Sequence, residues 1–174
     1  LAIESGMLPH LSYQELVDCG GSTGFPNTLQ WIQKNGLCSE AAYPSKPSPG
    51  PCRKNTCASK VNVSDVSMVP PKNETALKLA VLANPVVVLV EADKAPFQLY
   101  TSGVLASPDC GTMVDHALLL VGYGTDPASG DPFWKLQNSW GADWGEQGFI
   151  RIKRGANICG VESAARYPAG VTPT

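Results

Sequence analysis

The sequence predicts an α+β chain, helical in its first part and strand-rich in its second. Three observations carry this. Two helix patterns with N-terminal capping residues, at 11–18 and 27–34, fall in the first part. Apolar strand-like runs at 86–90, 117–122, 133–137 and 148–153 fall in the second. Between them Pro44, Pro47, Pro49, Gly50 and Pro51 prevent a helix, so residues 44–60 read as a surface crossing. The expected organisation is one domain over residues 1–174, with a helical part and crossing over 1–70 and a β-rich part over 71–174.

In chain order, Ser12 caps the first helix and Glu15 completes a capping box, with Leu11 and Leu16 at the positions of a hydrophobic staple. Asn27 caps a second helix that runs through Lys34, carries Leu29 and Ile32 on one face and stops at Gly36. After the crossing, Pro70-Pro71 punctuates again. Asn73 then caps a helix to about Ala83, whose apolar face is Ala76, Leu77, Ala80 and Val81. Val86 to Val90 is β-branched and almost wholly apolar, a strand signal. Residues 96–100 suit a single helical turn, and the Asp-, Gly- and Pro-rich stretch 125–132 a loop between later strands.

Bulk properties exclude several classes of function. A net charge of −2 gives no basis for nucleic-acid or membrane-surface binding. No apolar stretch approaches the ~20 residues of a membrane span, and no signal-peptide pattern is visible. Six cysteines, an even count, point to disulfides and an oxidising compartment. No pair has Cys-x-x-Cys spacing, so no metal site is expected. Asn62-Val63-Ser64 and Asn73-Glu74-Thr75 match the glycosylation acceptor pattern. With the cysteines they favour a secreted or lysosomal/vacuolar protein.

Two stretches carry the chemistry: Val114-Asp115-His116-Ala117-Leu118-Leu119-Leu120-Val121-Gly122-Tyr123-Gly124, and Trp134-Lys135-Leu136-Gln137-Asn138-Ser139-Trp140-Gly141 followed by Ala142-Asp143-Trp144-Gly145. Each reads as a buried strand with a polar residue at one end. The continuous apolar run from Leu118 to Val121 is what a strand covered on both faces shows. If the two strands pair antiparallel, the His116 imidazole and the Asn138 carboxamide meet at one edge. An amide oxygen accepting from one ring N–H fixes the tautomer and leaves the other nitrogen for proton transfer. Trp140 is placed to cover that pair, and Trp144 to shield it; both tryptophans suit ordinary core equally well. Asp115 adjoins His116, but consecutive strand side chains point to opposite faces, so it is not the orienting group. His10 reads as an exposed loop residue.

With Trp144-Gly145-Glu146-x-Gly148-Phe149-Ile150-Arg151 and Leu11-Ser12-x-x-Glu15-Leu16-Val17-Asp18-Cys19, these motifs resemble the papain-like cysteine proteases, the cathepsin L-like group in particular, from one end of the chain to the other. The resemblance implies a two-lobed fold with a cleft between the lobes. It implies a cysteine endopeptidase with His116 as acid–base partner and Asn138 as its orienter. The family's nucleophile lies on a long central helix in a Gln…Cys-Gly-Ser-Cys-Trp segment that this sequence does not contain. The expectation is the C-terminal part of such an enzyme, beginning roughly forty residues into the mature domain. Residues 1–174 would lack the nucleophile and the oxyanion-hole glutamine, and would be inactive alone. An upstream segment or a companion chain would supply the thiol. The alternative is a non-catalytic relative whose cleft binds a peptide or a partner. A secreted disulfide-stapled module with no peptide site is a further reading, against which His116 and Asn138 together speak.

By the same resemblance, Gly24 lies beside the substrate backbone, where the lack of a side chain permits strand-like pairing, and Trp140 borders the site. Pro26, Leu89, Ala92, Ala117 and Ala164 line the pocket for the second residue before the scissile bond, with Ala164 as its floor. The resemblance implies disulfides Cys19–Cys52 and Cys110–Cys159, which leaves Cys38–Cys57; Cys19–Cys57 with Cys38–Cys52 is the alternative. A further family bridge has lost its cysteine at Gly21. No cofactor is implied. The implied partners are a peptide or protein substrate and a propeptide or protein inhibitor.

Overall fold

The computed structural model describes residues 6, 8–20, 24, 27–53, 57–58 and 60–173. In chain order the elements are α1 (Tyr13–Cys19), α2 (Asn27–Asn35), β1 (Val61–Val69), α3 (Glu74–Ala83), β2 (Val86–Val90), α4 (Ala95–Gln98), β3 (Val104–Leu105), β4 (His116–Thr125), β5 (Pro132–Gln137), β6 (Phe149–Lys153) and β7 (Ala165–Pro173). The class is α+β, with strand order β1-β7-β2-β4-β5-β6-β3. The chain forms two compact units, Leu1–Ser67 with Pro168–Thr174, and Met68–Tyr167.

In the first unit α1 starts as its cap dictates: the Ser12 hydroxyl accepts from Glu15 N–H at 2.9 Å. The capping box does not close. The Ser12 N–H that Glu15 would have accepted donates to Cys38 O instead. Glu15 turns inward, where Oε2 accepts from Cys38 N–H at 2.7 Å and Lys60 Nζ lies 3.3 Å from Oε1. A buried carboxylate needs such partners, and a long-range amide and ammonium outcompete the local cap. Asn27 is the first residue of α2 rather than its cap. The crossing has no regular structure among its described residues. Asp18 holds it, accepting from Gly50 N–H at 2.7 Å and from the Tyr43 hydroxyl at 2.8 Å, and two disulfides, Cys19–Cys52 and Cys38–Cys57, close it covalently. Strand β1 was not anticipated. It lies at the sheet edge and buries only Val63 and Val69, so its sequence shows little apolar periodicity.

In the second unit β2, β4, β5 and β6 are successively antiparallel, and β3 joins β6 in parallel. The inner face carries Val86, Val88, Val90, Leu118, Leu120, Trp134, Leu136, Ile150 and Ile152. Helix α3 covers it with Leu77, Ala80 and Val81. Each valine, leucine or isoleucine among them contributes ~1.5–3 kcal/mol on full burial. Trp134 is fully buried, and its indole N–H donates to Glu162 Oε1 at 3.0 Å. Strand β4 is not covered on both faces as its apolar run suggested: Leu118 and Leu120 are buried, whereas Ala117 and Val121 are exposed. A register shift between Leu120 and Gly122 leaves Val121 as the extra residue of a bulge.

Arg151, on β6, ties two loops together. It pairs with Glu146 at 2.7 Å and with Asp126 at 2.5 Å. Glu146 also accepts from Gly103 N–H at 2.9 Å. Hydrogen bonds from Ser129 and then from Arg151 hold the Asp126 carboxyl at about 2, and the Arg151 guanidinium holds Glu146 below its ordinary range. Both shifts are downward from the unfolded values. The stability they confer is therefore complete above the ordinary carboxylate range, ~4, and is lost as the pH falls through about 2. Melting temperature is expected to drop between about pH 4 and pH 2, and R151Q is expected to flatten that drop. An unchanged pH profile in R151Q would show that the acid sensitivity lies elsewhere.

Candidate active site

Strand register brings the polar ends of β4 and β5 together. His116 opens β4 opposite Val90 of β2, and Leu119 lies opposite Gln137, the last residue of β5. Asn138 follows immediately, held by its N–H to Gly148 O at 2.8 Å. His116 Nε2 lies 2.9 Å from Asn138 Oδ1.

The amide orientation follows from a neighbour. Ser139 N–H, which can only donate, reaches the same Asn138 atom at 2.8 Å, so that atom is the oxygen. His116 Nε2 must then carry the hydrogen, and Nδ1 is the basic nitrogen of the neutral ring. The arrangement has a cost: Asn138, 9% exposed, buries its Nδ2 without a hydrogen-bond partner among the described residues. Turning the amide over would satisfy that group only by facing N–H against N–H at Ser139.

Aromatic rings surround the pair. Trp140 stacks on the imidazole at 5.3 Å between centroids and 30° between planes. Phe97 of α4 meets His116 edge-on at 6.5 Å and Trp140 at 5.4 Å, and Trp144 packs on both Phe97 and Trp140. Trp140 remains 42% exposed, so it covers one face of the imidazole while itself meeting solvent. Burial of this kind strengthens the hydrogen bond it covers. Phe97 was not legible as part of the site. The sequence marks α4 only as a helical turn, and nothing local tells which ring lies beneath the imidazole.

An open cavity of about 260 Å³ borders His116 and Trp140 and is lined further by Ala92, Asp93, Gln98 and Asp115. Asp115 does not contact the imidazole in place of Asn138; its Oδ1 accepts from Ala92 N–H at 2.7 Å. Lys94 pairs with Asp93 and Glu91, and these hydrogen bonds, Asp93 first, raise its affinity for its proton.

Of the expected pocket residues, Leu89, Ala117 and Ala164 come together: Leu89 faces Ala117 across β2 and β4 and donates its N–H to Ala164 O at 3.0 Å. Ala92 is buried and lines the cavity beside His116. Gly24 has φ +63°, and among the described residues nothing stands within 4 Å of where a Cβ would be. Pro26 lies outside the described residues. Asn73 is exposed and its Oδ1 caps α3 by accepting from Ala76 N–H, while Asn62 is half-buried within β1.

All six cysteines are bonded, as Cys19–Cys52, Cys38–Cys57 and Cys110–Cys159, so none is available as a thiolate. Among the described residues Glu15, Cys38 and Cys57 form a grouping of metal-ligand types, but its two sulfurs are bonded to each other. Among the described residues, no helix is long and apolar enough to cross a membrane.

Residues 1–169 match the family described as papain family cysteine protease. The chain is 41% identical over 180 residues to the cysteine endopeptidase RepA of Oryza sativa subsp. japonica, covering 95% of this chain and 47% of that protein. It thus spans about half the length of the curated relatives it matches. Among solved structures it is similar to the bromelain protease from Ananas comosus in complex with the E64 inhibitor (TM-score 0.87, 37% identity, 96% of this chain and 81% of that one). It is also similar to the proform of the ragweed pollen allergen Amb a 11 cysteine protease (TM-score 0.88, 33% identity, 96% and 48%).

Proposed function

Because the chain belongs to the papain family of cysteine proteases, we propose that it is the C-terminal part of a cysteine endopeptidase whose acid–base residue is His116. The observation that supports this reading is the His116 Nε2–H bond to Asn138 Oδ1, with the amide oriented by Ser139 and the ring covered by Trp140. It leaves Nδ1 as the basic atom of the neutral ring.

In this reading a cysteine thiol, supplied by polypeptide other than residues 1–174, gives its proton to His116 Nδ1. The thiolate attacks the peptide carbonyl carbon. The imidazolium then returns the proton to the leaving amine, and the acyl thioester is hydrolysed by a water that His116 deprotonates. Asn138 holds the ring through both transfers. Substrates are peptides or proteins, and a propeptide is an expected partner, as in the ragweed protease solved as a proform. The compartment is secretory or vacuolar, in keeping with three disulfides, which persist where the environment oxidises.

The test is turnover of a peptide substrate by the complete protein and by residues 1–174 alone. Activity in the first that a thiol alkylator abolishes, and none in the second, is the expected pattern. Alkylator-sensitive turnover by residues 1–174 alone would overturn the assignment of the nucleophile. A complete protein with serine or glycine in the nucleophile's place and no turnover would instead support a peptide-binding relative.

A further inference from the structure

The chemistry above makes no use of Glu91, although its carboxylate is buried, at 3% exposed. It stands between Val90, the last residue of β2, and Ala92, which lines the cavity beside His116. Residues 111–115 lead directly into His116 and belong to no strand. Three consecutive residues hold them. Asp115 N–H donates to Val90 O at 2.9 Å, Met113 N–H donates a short hydrogen bond to Glu91 Oε2, and Ala92 N–H donates to Asp115 Oδ1 at 2.7 Å. The middle contact depends on the Glu91 side chain alone.

Glu91 is itself anchored. Its N–H donates to Cys159 O at 2.8 Å, and the Cys110–Cys159 disulfide pins the start of the same segment. Gly111, at φ +74°, takes a conformation that side chains disfavour, and a Cβ there would collide with Glu91 Oε2. Loop and carboxylate therefore fit one another through backbone groups rather than through exchangeable surface contacts. The Lys94 ion pair, at 3.3 Å from Glu91 Oε1, involves an ammonium side chain that is 46% exposed and carries little weight beside a buried hydrogen bond.

We propose that Glu91 is a positioning residue for His116: by accepting from Met113 N–H it fixes the segment that presents the imidazole, and so keeps Nε2 on Asn138 Oδ1. This rests on the reading of His116 given above. Proton transfer is sensitive to small misplacements of the transferring group, so the effect falls on turnover rather than on substrate binding.

The test separates acceptor geometry from charge in the complete enzyme. E91D keeps the charge but withdraws the carboxylate from Met113 by one methylene. K94Q removes the ion pair and leaves the Met113 contact. E91D is expected to lower kcat per titrated active site by at least about tenfold, the scale of a lost orienting contact, with KM little changed. The hydrogen-bonded His116 Nε2–H resonance is expected to lose its protection from exchange. E91Q, which retains an acceptor oxygen, recovers most of that loss, and K94Q shows neither defect. Wild-type kcat and an unchanged Nε2–H signal in E91D, whatever its melting temperature, would overturn the proposal, as would the same defect in K94Q. Should E91D yield no folded protein, E91M, which keeps the side-chain length and removes the acceptor, takes its place: a defect in E91M that E91Q and K94Q lack supports the proposal, and wild-type kcat with an unchanged Nε2–H signal in E91M overturns it. Absence of any turnover in the wild-type enzyme would refute the proteolytic reading, and the Nε2–H signal in the same variants would still decide the role of Glu91.

Discussion

His116→Ala in the complete enzyme is expected to remove nearly all turnover, on the order of 10⁴-fold in kcat, because the thiol loses its base and the leaving amine its acid together. Asn138→Ala is expected to cost far less, about 10–100-fold, the scale of an orienting contact behind the reacting group. Geometry sets this difference. Only His116 presents an open ring nitrogen, whereas Asn138 acts through the 2.9 Å bond to Nε2. Removing the Asn138 side chain also removes a buried amide nitrogen that has no partner among the described residues, which offsets part of the loss in stability. The imidazole would still be stacked on Trp140 and edged by Phe97, so its position is not lost with the amide. The measurement is kcat per titrated active site for both variants. Equal losses would mean that Asn138 takes part in the proton transfers themselves.

Substrate choice carries the second large effect. Leu89, Ala117 and Ala164, which lie together, are all uncharged, and we propose that they line the pocket for the second residue before the scissile bond. Burying a leucine or phenylalanine side chain of the substrate against it gains ~1.5–3 kcal/mol. An arginine there would lose water and find no carboxylate unless its head group reached back to solvent. An apolar residue at the second position before the scissile bond is therefore expected to exceed arginine by at least about tenfold in kcat/KM, which needs only ~1.4 kcal/mol. Ala164→Glu is expected to reverse the order. The swing between the two enzymes would then be about a hundredfold, since each reversal of preference contributes a factor of about ten. Paired peptides with leucine or arginine at that position measure it. Arginine cleaved no better by A164E would mean that residue 164 does not reach the substrate.

The meeting of His116 and Asn138 was legible from residue types because strand patterns are local. An apolar run with period two or with none marks β2, β4, β5 and β6, and antiparallel pairing of two consecutive strands is the default for a short connection. Once β4 and β5 pair, His116 and Asn138 have one edge on which to meet. Ser12 and Asn73 were readable for the same reason, since a cap acts within three residues of itself.

What the sequence by itself determined, then, was the α+β class, the family motifs and the residue types at the polar ends of two neighbouring strands. Only the tertiary structure decided that Glu15 leaves its own helix cap for Cys38 and Lys60, and that β4 buries one face. It likewise decided that Leu89, Ala117 and Ala164 come together, and that Glu91 grips the segment before the histidine. In each case the deciding contact joins residues far apart in the chain. A buried carboxylate takes whichever donor the fold brings within reach, and a strand face is buried only if another element covers it. Neither condition is written in the spacing of neighbouring residues.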